Sequence, residues 1–425
     1  MIPILFTGGT ISMRHDAAAG GAVPQLSGEM IIAATGGIRA VADIEPEDWG
    51  AYPGPHMSPE LQWALRARVV ELLARPDVDG VVLTHGTDTL EETAYLFARS
   101  IPAGKPVVFT GGTISMRHDA AAGGAVPQLS GEMILAATGG IRAVADIEPE
   151  DWGAYPGPHM SPELQWALRT RVVELLARPD VDGVVITHGT DTLEETAYLF
   201  ARSIPAGKPV VFTGAMRSGS DLGWDGPANL IDAVRVAAAP DAGAYGTLLV
   251  IGARVFTGLD VTKTHTHMLD AFESPELGPV GVVDDGRVIF RRSLPGPPRT
   301  VAPESLVVPV DIVASHAGAD SRLLDASRAT ARGVVVAALG RGNLPPAMLD
   351  GVARWVDEGK PLVIASRAQR GRVGATYGYP GAGRRLLELG AILAGGRRPQ
   401  QARVDLMLGL GLGLSRDGLA ELFAG

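Results

Sequence analysis

Two threonine motifs occur twice in this chain, and one lysine motif occurs once. Thr7-Gly8-Gly9-Thr10 and Thr84-His85-Gly86-Thr87-Asp88-Thr89 return as Thr110-Gly111-Gly112-Thr113 and Thr187-His188-Gly189-Thr190-Asp191-Thr192. Asp260-Val261-Thr262-Lys263-Thr264 stands alone. A threonine hydroxyl is a poor nucleophile until a base or a nearby cation helps remove its proton. Lysine can fill that role, because burial tunes its charge in a way that arginine does not allow. The chain has four lysines among its 37 basic residues. Lys105, Lys208 and Lys360 each sit in a Gly-Lys-Pro turn just before a strand and read as solvated turn residues, which leaves Lys263 as the candidate.

The doubling has a simple rule: every residue from Phe6 to Val108 has its counterpart 103 positions later, and only Ile32/Leu135, Ala67/Thr170 and Leu83/Ile186 differ. Divergent repeats of about 20 to 50 residues indicate solenoids. This unit is longer and nearly identical, so it reads as a recent duplication, and removing one copy leaves 425 − 103 = 322 residues. Two pairs of threonine elements therefore surround one lysine, and one complete site can form. The second copy runs into the remainder without interruption. We expect residues 104–425 to form the main body, with Thr113, Thr190 and Asp191 meeting Lys263, rather than Thr10, Thr87 and Asp88 from the first copy.

The elements that position these residues alternate. Residues 104–110 read as a strand, and Ser161-Pro162-Glu163 places an N-cap and an N1 proline before a helix with Leu164, Leu168, Val172 and Leu175 on one side. A strand over 183–187 follows, then a capping-box pattern of Thr192 with Glu195, a strand over 209–213, a helix from about 225 to 236 and a strand over 247–251. Such alternation implies a parallel sheet, whose ligands collect beyond the carboxyl ends of the strands, where both threonine motifs fall. Leu294-Pro295-Gly296-Pro297-Pro298 reads as a linker, and strands over 306–312, 333–339 and 361–366 with a helix over 346–358 read as a smaller second α/β domain. The expected divisions are 1–103 for the extra copy, 104–293, a linker at 294–304, and 305–425.

Composition sets the outer bounds. A hydrophobic fraction of 46% with 20% charged residues suits a globular α/β protein, and a formal charge of −10 disfavours nucleic acid and anionic membrane as partners. With no cysteine, disulfides and thiolate chemistry are excluded. No basic and apolar leader precedes Ile4-Leu5-Phe6, so a cytoplasmic protein without a membrane span is expected.

TGGTIS, THGTDTLEETAYLF, VVFTGAMR, DGPANL, DVTKTHT and GRGNLPP, in that order, resemble the bacterial L-asparaginase family, glutaminase-asparaginases included, over residues 104–425. The resemblance implies an asparaginase-like α/β fold of a larger N-terminal and a smaller C-terminal domain, here with an extra partial copy. It further implies hydrolysis of the side-chain amide of L-asparagine, or L-glutamine, through a threonine acyl-enzyme without cofactor or metal, in a homodimer or homotetramer. Thr113 matches the family's nucleophile, and Thr190 and Asp191 with Lys263 match its relay. Asp191 also matches the residue that holds the substrate's α-ammonium, and backbone amides near the threonines would stabilise the oxyanion. Gly157 falls where many members bind the substrate carboxylate with a serine, and Asn343 where a second-domain asparagine reaches a partner's site.

Three departures stand beside these matches. Gly123-Gly124-Ala125-Val126-Pro127 carries no lid tyrosine, Gly157 has no hydroxyl, and Gly371 to Tyr377 offers no acid for a partner's site. Other readings are a nucleotide-binding domain, for which the sequence has no matching glycine motif, and a non-catalytic protein whose cleft the extra copy occludes. His188 at a strand end reads as a structural histidine, and His118, His159, His265 and His267 lack the carboxylate spacing of a metal site.

Overall fold

The computed structural model describes residues 1–8, 12–16, 21–35, 37–52, 57–85, 97, 107–108, 116–119, 124–127, 131–150, 152, 155–221, 223–296 and 299–424. The chain divides into two compact units, Met1–Gly112 and Thr113–Gly425. The division lies nine residues beyond the 103/104 boundary that the repeat suggests.

In the first unit, strands β1 (Ile2–Gly8), β2 (Ile44–Tyr52), β3 (Val81–Thr84) and β4 (Val107–Val108) form a parallel sheet in the order β2-β1-β3-β4. Apolar residues on both faces of β1 and its neighbour β3, with Ile4, Leu5, Phe6, Val81 and Leu83 buried, make the middle of this sheet burial-driven. Leu5 and Leu83 pack on Leu65, Val69 and Leu72 of helix α1 (Pro59–Ala74), while Ile4 and Phe6 face Ile32 and Ile44. β4 carries a correction. The strand expected over 104–110 as the opening of the second copy is, where described, paired with the first: Val107 with Val81 and Val108 with Val82.

The second unit begins its regular sheet later. Helix α2 (Pro162–Ala177) starts as its sequence dictates, with Ser161 Oγ accepting from the Leu164 amide at 3.4 Å and Leu168 and Val172 turned into the core. Strands β5 (Val184–Thr187), β6 (Val210–Thr213) and β7 (Thr247–Ile251) are parallel neighbours, separated in sequence by helices α3 (Leu193–Ser203) and α4 (Gly226–Ala237). The expected parallel sheet then turns mixed. β8 (Arg254–Thr257) returns antiparallel through Gly252 and Ala253, whose φ angles of 56° and 58° make the tight hairpin. A two-residue ribbon of β9 (Thr262–Lys263) and β10 (Phe272–Glu273) follows, and β11 (Gly281–Asp284) and β12 (Arg287–Phe290) complete the sheet edge.

Among the described residues β5 has no neighbour on the side away from β6. Ile147–Tyr155, whose sequence equals that of β2, forms no strand among its described residues. Side-chain pairing survives without the ladder: Arg171 grips Glu150 at 2.9 Å, as Arg68 grips Glu47 at 2.8 Å in the first copy.

The smaller sheet is parallel, in the order β13 (Val310–Ala314), β14 (Gly333–Ala338), β15 (Leu362–Ser366) and β16 (Ile392–Leu393). Helix α5 (Leu349–Asp357) covers it with Trp355, wholly buried and bonded to the Leu324 carbonyl at 2.9 Å. Helix α6 (Pro399–Gly411) joins this domain to α3 through a buried charge cluster, in which Asp405 accepts from Arg202 Nε at 2.7 Å, Arg397 Nε at 2.6 Å and the Tyr198 hydroxyl at 3.0 Å.

Two lysine expectations are corrected here. Lys208 and Lys360 are not solvated turn residues: Lys208 Nζ donates to the carbonyls of Leu176 and Arg178 at 3.0 and 2.5 Å, and Lys360 Nζ to that of Arg328 at 2.6 Å. Each caps the carbonyl end of a preceding helix, where a cation is favoured. Lys105 lies outside the described residues.

Candidate active site

The loop between β5 and the N-cap of α3 carries Thr190 and Asp191, and β9 carries Lys263. Lys263 Nζ donates to Thr190 Oγ1 at 2.9 Å and to Asp191 Oδ1 at 2.8 Å. The lysine side chain is only 16% exposed while that of Asp191 is 56% exposed, so a mostly buried cation meets a carboxylate open to solvent. Thr113, Thr10, Thr87 and Asp88 lie outside the described residues. The lysine's described partners thus belong to the second copy.

The loop is held by backbone contacts rather than by the expected capping box. Thr192 Oγ1 donates to the Gly157 carbonyl at 2.7 Å, and Glu195 turns to Arg403 at 3.2 Å. Both partners are distant in sequence, so tertiary contacts override the local pattern. Burial pushes the Glu195 carboxyl above its ordinary value, with Arg403 opposing that shift. Gly157 sits against Asp191: a Cβ placed there would lie 3.2 Å from the Asp191 amide nitrogen and 3.3 Å from its Cβ. A Cβ on Gly189 would lie 2.5 Å from Gly157 Cα, so the glycines at both positions permit the close approach.

His188 is spent on structure. Nδ1 lies 2.8 Å from the Gly189 carbonyl and Nε2 3.0 Å from Thr196 Oγ1, with the ring edge-on to Phe212. Those partners fit a neutral ring protonated at Nδ1, and burial holds its pKa below the ordinary value. His265 is also occupied, its Nδ1 accepting from the amides of His267 and Met268 at 3.1 and 3.0 Å. Asn343 forms a local bridge with Leu339, and its buried Oδ1 has no partner.

Two contributions lie beyond the residues singled out from sequence. Glu194 Oε2 accepts from the Lys263 amide at 2.7 Å and from the Thr262 hydroxyl. Asn229, in the DGPANL motif, donates to the Gly214 carbonyl and Asp225 and accepts from the Gly252 amide, tying together the loops that end β6 and β7. Both stood inside quoted motifs, but only folding shows which backbone groups they meet. A groove of about 1940 Å³ opens along β5 and is lined by Thr190, Asp191, Gly157 and Lys263 among others.

The family model "Asparaginase, N-terminal" matches residues 1–111 and again 108–295, and "Glutaminase/Asparaginase C-terminal domain" matches 309–423. A probable L-asparaginase of Deinococcus radiodurans is 38% identical over 329 residues, covering 76% of this chain and 98% of the relative. A glutaminase-asparaginase of Pseudomonas fluorescens biotype A is 30% identical over 275 residues, covering 62% and 75%. The crystal structure of a probable cytoplasmic L-asparaginase from Campylobacter jejuni superposes with a TM-score of 0.65 at 32% identity, covering 74% of this chain and 95% of that one. With its larger domain matched twice, its smaller domain matched once, and 98% of the D. radiodurans relative's length spanned, this chain belongs to the asparaginase family.

Proposed function

We propose that this chain hydrolyses the side-chain amide of L-asparagine to L-aspartate and ammonia. The observation that carries the reading is the Lys263 ammonium set between Thr190 Oγ1 and Asp191 Oδ1 beyond the carboxyl end of β5, in the parallel part of the sheet. In this scheme Thr113 Oγ attacks the amide carbon, and backbone amides beside the threonines receive the developing oxyanion. The proton lost by Thr113 passes to the leaving nitrogen, ammonia departs, and a threonine ester remains. Thr190, Lys263 and Asp191 then relay the proton from an attacking water, which returns the free hydroxyl and releases aspartate. Asp191, open to solvent, is suited to take the substrate's ammonium as well.

The P. fluorescens relative's name makes L-glutamine the competing substrate, and one methylene is worth only about 1–3 kcal/mol of discrimination. We also propose a cytoplasmic homodimer or homotetramer in which Asn343, with its unpartnered Oδ1, faces a partner's site. The test is ammonia release from each amide by the full-length protein and by Lys263→Met. A parent that releases none, or a Lys263→Met variant that matches it, overturns the proposal. Sedimentation velocity that finds only monomer overturns the assembly.

A further inference from the structure

We infer that Glu194 is a positioning residue for Lys263, one jaw of a clamp whose other jaw is the start of α6. The inference rests on the proposed role of Lys263. A lysine head carries a four-carbon stem with many rotamers, so its placement depends on how firmly its backbone is set. β9 alone is a weak foundation: among the described residues its ladder is Thr262 with Glu273 and Lys263 with Phe272, extended by the Thr264 amide on the Ala271 carbonyl at 2.7 Å, and a two-stranded ribbon is marginal in water.

Glu194 supplies the missing rigidity. Its Oε2 accepts from the Lys263 amide at 2.7 Å and from the Thr262 hydroxyl, and charged acceptors make the stronger hydrogen bonds. Glu194 lies three residues after Asp191 and four after Thr190, so one helix start carries both partners of the ammonium and the anchor of its backbone. From the smaller domain, Arg398 Nη2 donates to the carbonyls of Asp260 and Val261 at 2.9 and 3.2 Å, and Gln401 Nε2 to that of Leu259 at 2.9 Å. The segment 259–263 is thus gripped by its carbonyls at one end and its N–H at the other. A bland alternative gives Glu194 only the general benefit of an acid in the first turn of a helix.

Glu194→Asp and Glu194→Gln in the full-length protein separate these roles. Aspartate keeps the charge in the first turn but is one methylene too short to reach the Lys263 amide; glutamine loses the charge but keeps an acceptor oxygen at full reach. We expect Glu194→Asp to lower kcat at least tenfold with KM within about twofold, and Glu194→Gln to stay within about threefold of the parent. A second readout needs no turnover: competitive acetylation by acetic anhydride, measured by mass spectrometry, is expected to label Lys263 several-fold faster relative to Lys208 in Glu194→Asp, and not in Glu194→Gln. The reverse order, equal losses in both variants, or no loss in either overturns the inference. If the parent releases no ammonia, the proposed activity fails, and the acetylation contrast still decides the clamp.

Discussion

Val107 pairs with Val81, and Val108 with Val82, on one edge of β4. In the first copy Ile44–Tyr52 is a strand because it lies on the corresponding edge of Ile2–Gly8, with Ile2 opposite Ile44 and Leu5 opposite Glu47. The same sequence at 147–155 would need that edge of Val107–Val108, and β3 already holds it. Strand formation depends on a partner as much as on propensity. Removing residues 1–103 frees the edge, so Ile147–Tyr155 is expected to become a strand. Amide hydrogen exchange near Glu150 and Trp152 should slow at least tenfold in the 104–425 chain relative to the full-length protein, and unchanged exchange would refute the explanation.

The contrast between copies marks what a sequence makes legible. Helix α2 follows from residues within a few positions of one another, Ser161, Pro162 and the Leu168–Val172 face, and the structure places it there in full. Both domains of the family fold and the Lys263 segment were readable from ordered motifs. The partner of Val107 and Val108 was not, because two near-identical copies offer almost the same edge and local pattern carries no preference between them. Thr192 and Glu195 had the spacing of a capping box, yet Gly157 and Arg403 took their side chains. Glu194 and Arg398 were equally silent, since each acts on backbone groups far along the chain.

Asp405 should be the costliest single charge to remove from the domain junction. Its side chain is fully buried and accepts from two guanidinium groups and a tyrosine hydroxyl. Burial and the Asp405 charge together push the Tyr198 phenol well above its usual range, so that hydroxyl stays a donor. Asp405→Ala leaves Arg202 and Arg397 without their buried partner, a loss of about 3–5 kcal/mol. Urea denaturation is the measurement, and a loss below about 1 kcal/mol would show that the arginines find other acceptors.

Stability should fall on mild acidification through His188. Burial lowers its folded pKa below the ordinary 6.5, so the unfolded chain binds the proton more readily than the fold does. The contribution is therefore complete above about pH 6.5 and is lost as pH drops toward the folded value. Urea midpoints measured from pH 8 to pH 5 are expected to decline below about pH 6.5. In His188→Asn that part of the decline should flatten, because asparagine does not titrate; parallel profiles for the two proteins would assign the acid sensitivity elsewhere.

Gly157 allows a cleaner test of substrate recognition, because alanine and serine there share one steric problem. Either Cβ lies about 3.2 Å from the Asp191 amide nitrogen, so the Gly189–Asp191 loop must yield by a few tenths of an ångström in both variants. That common cost is expected to lower kcat for Gly157→Ala several-fold through displacement of Thr190 and Asp191 from Lys263. Any difference between Gly157→Ser and Gly157→Ala then reports the hydroxyl alone. If position 157 faces the substrate carboxylate, the serine variant has the lower KM of the two, by about three- to tenfold, the worth of one hydrogen bond. Equal KM values with steady-state L-asparagine would place the carboxylate elsewhere in the groove. Gly189→Ala sets the limit of tolerance, since its Cβ would fall 2.5 Å from Gly157 Cα, and it is expected to abolish activity while Gly157→Ala retains part of it.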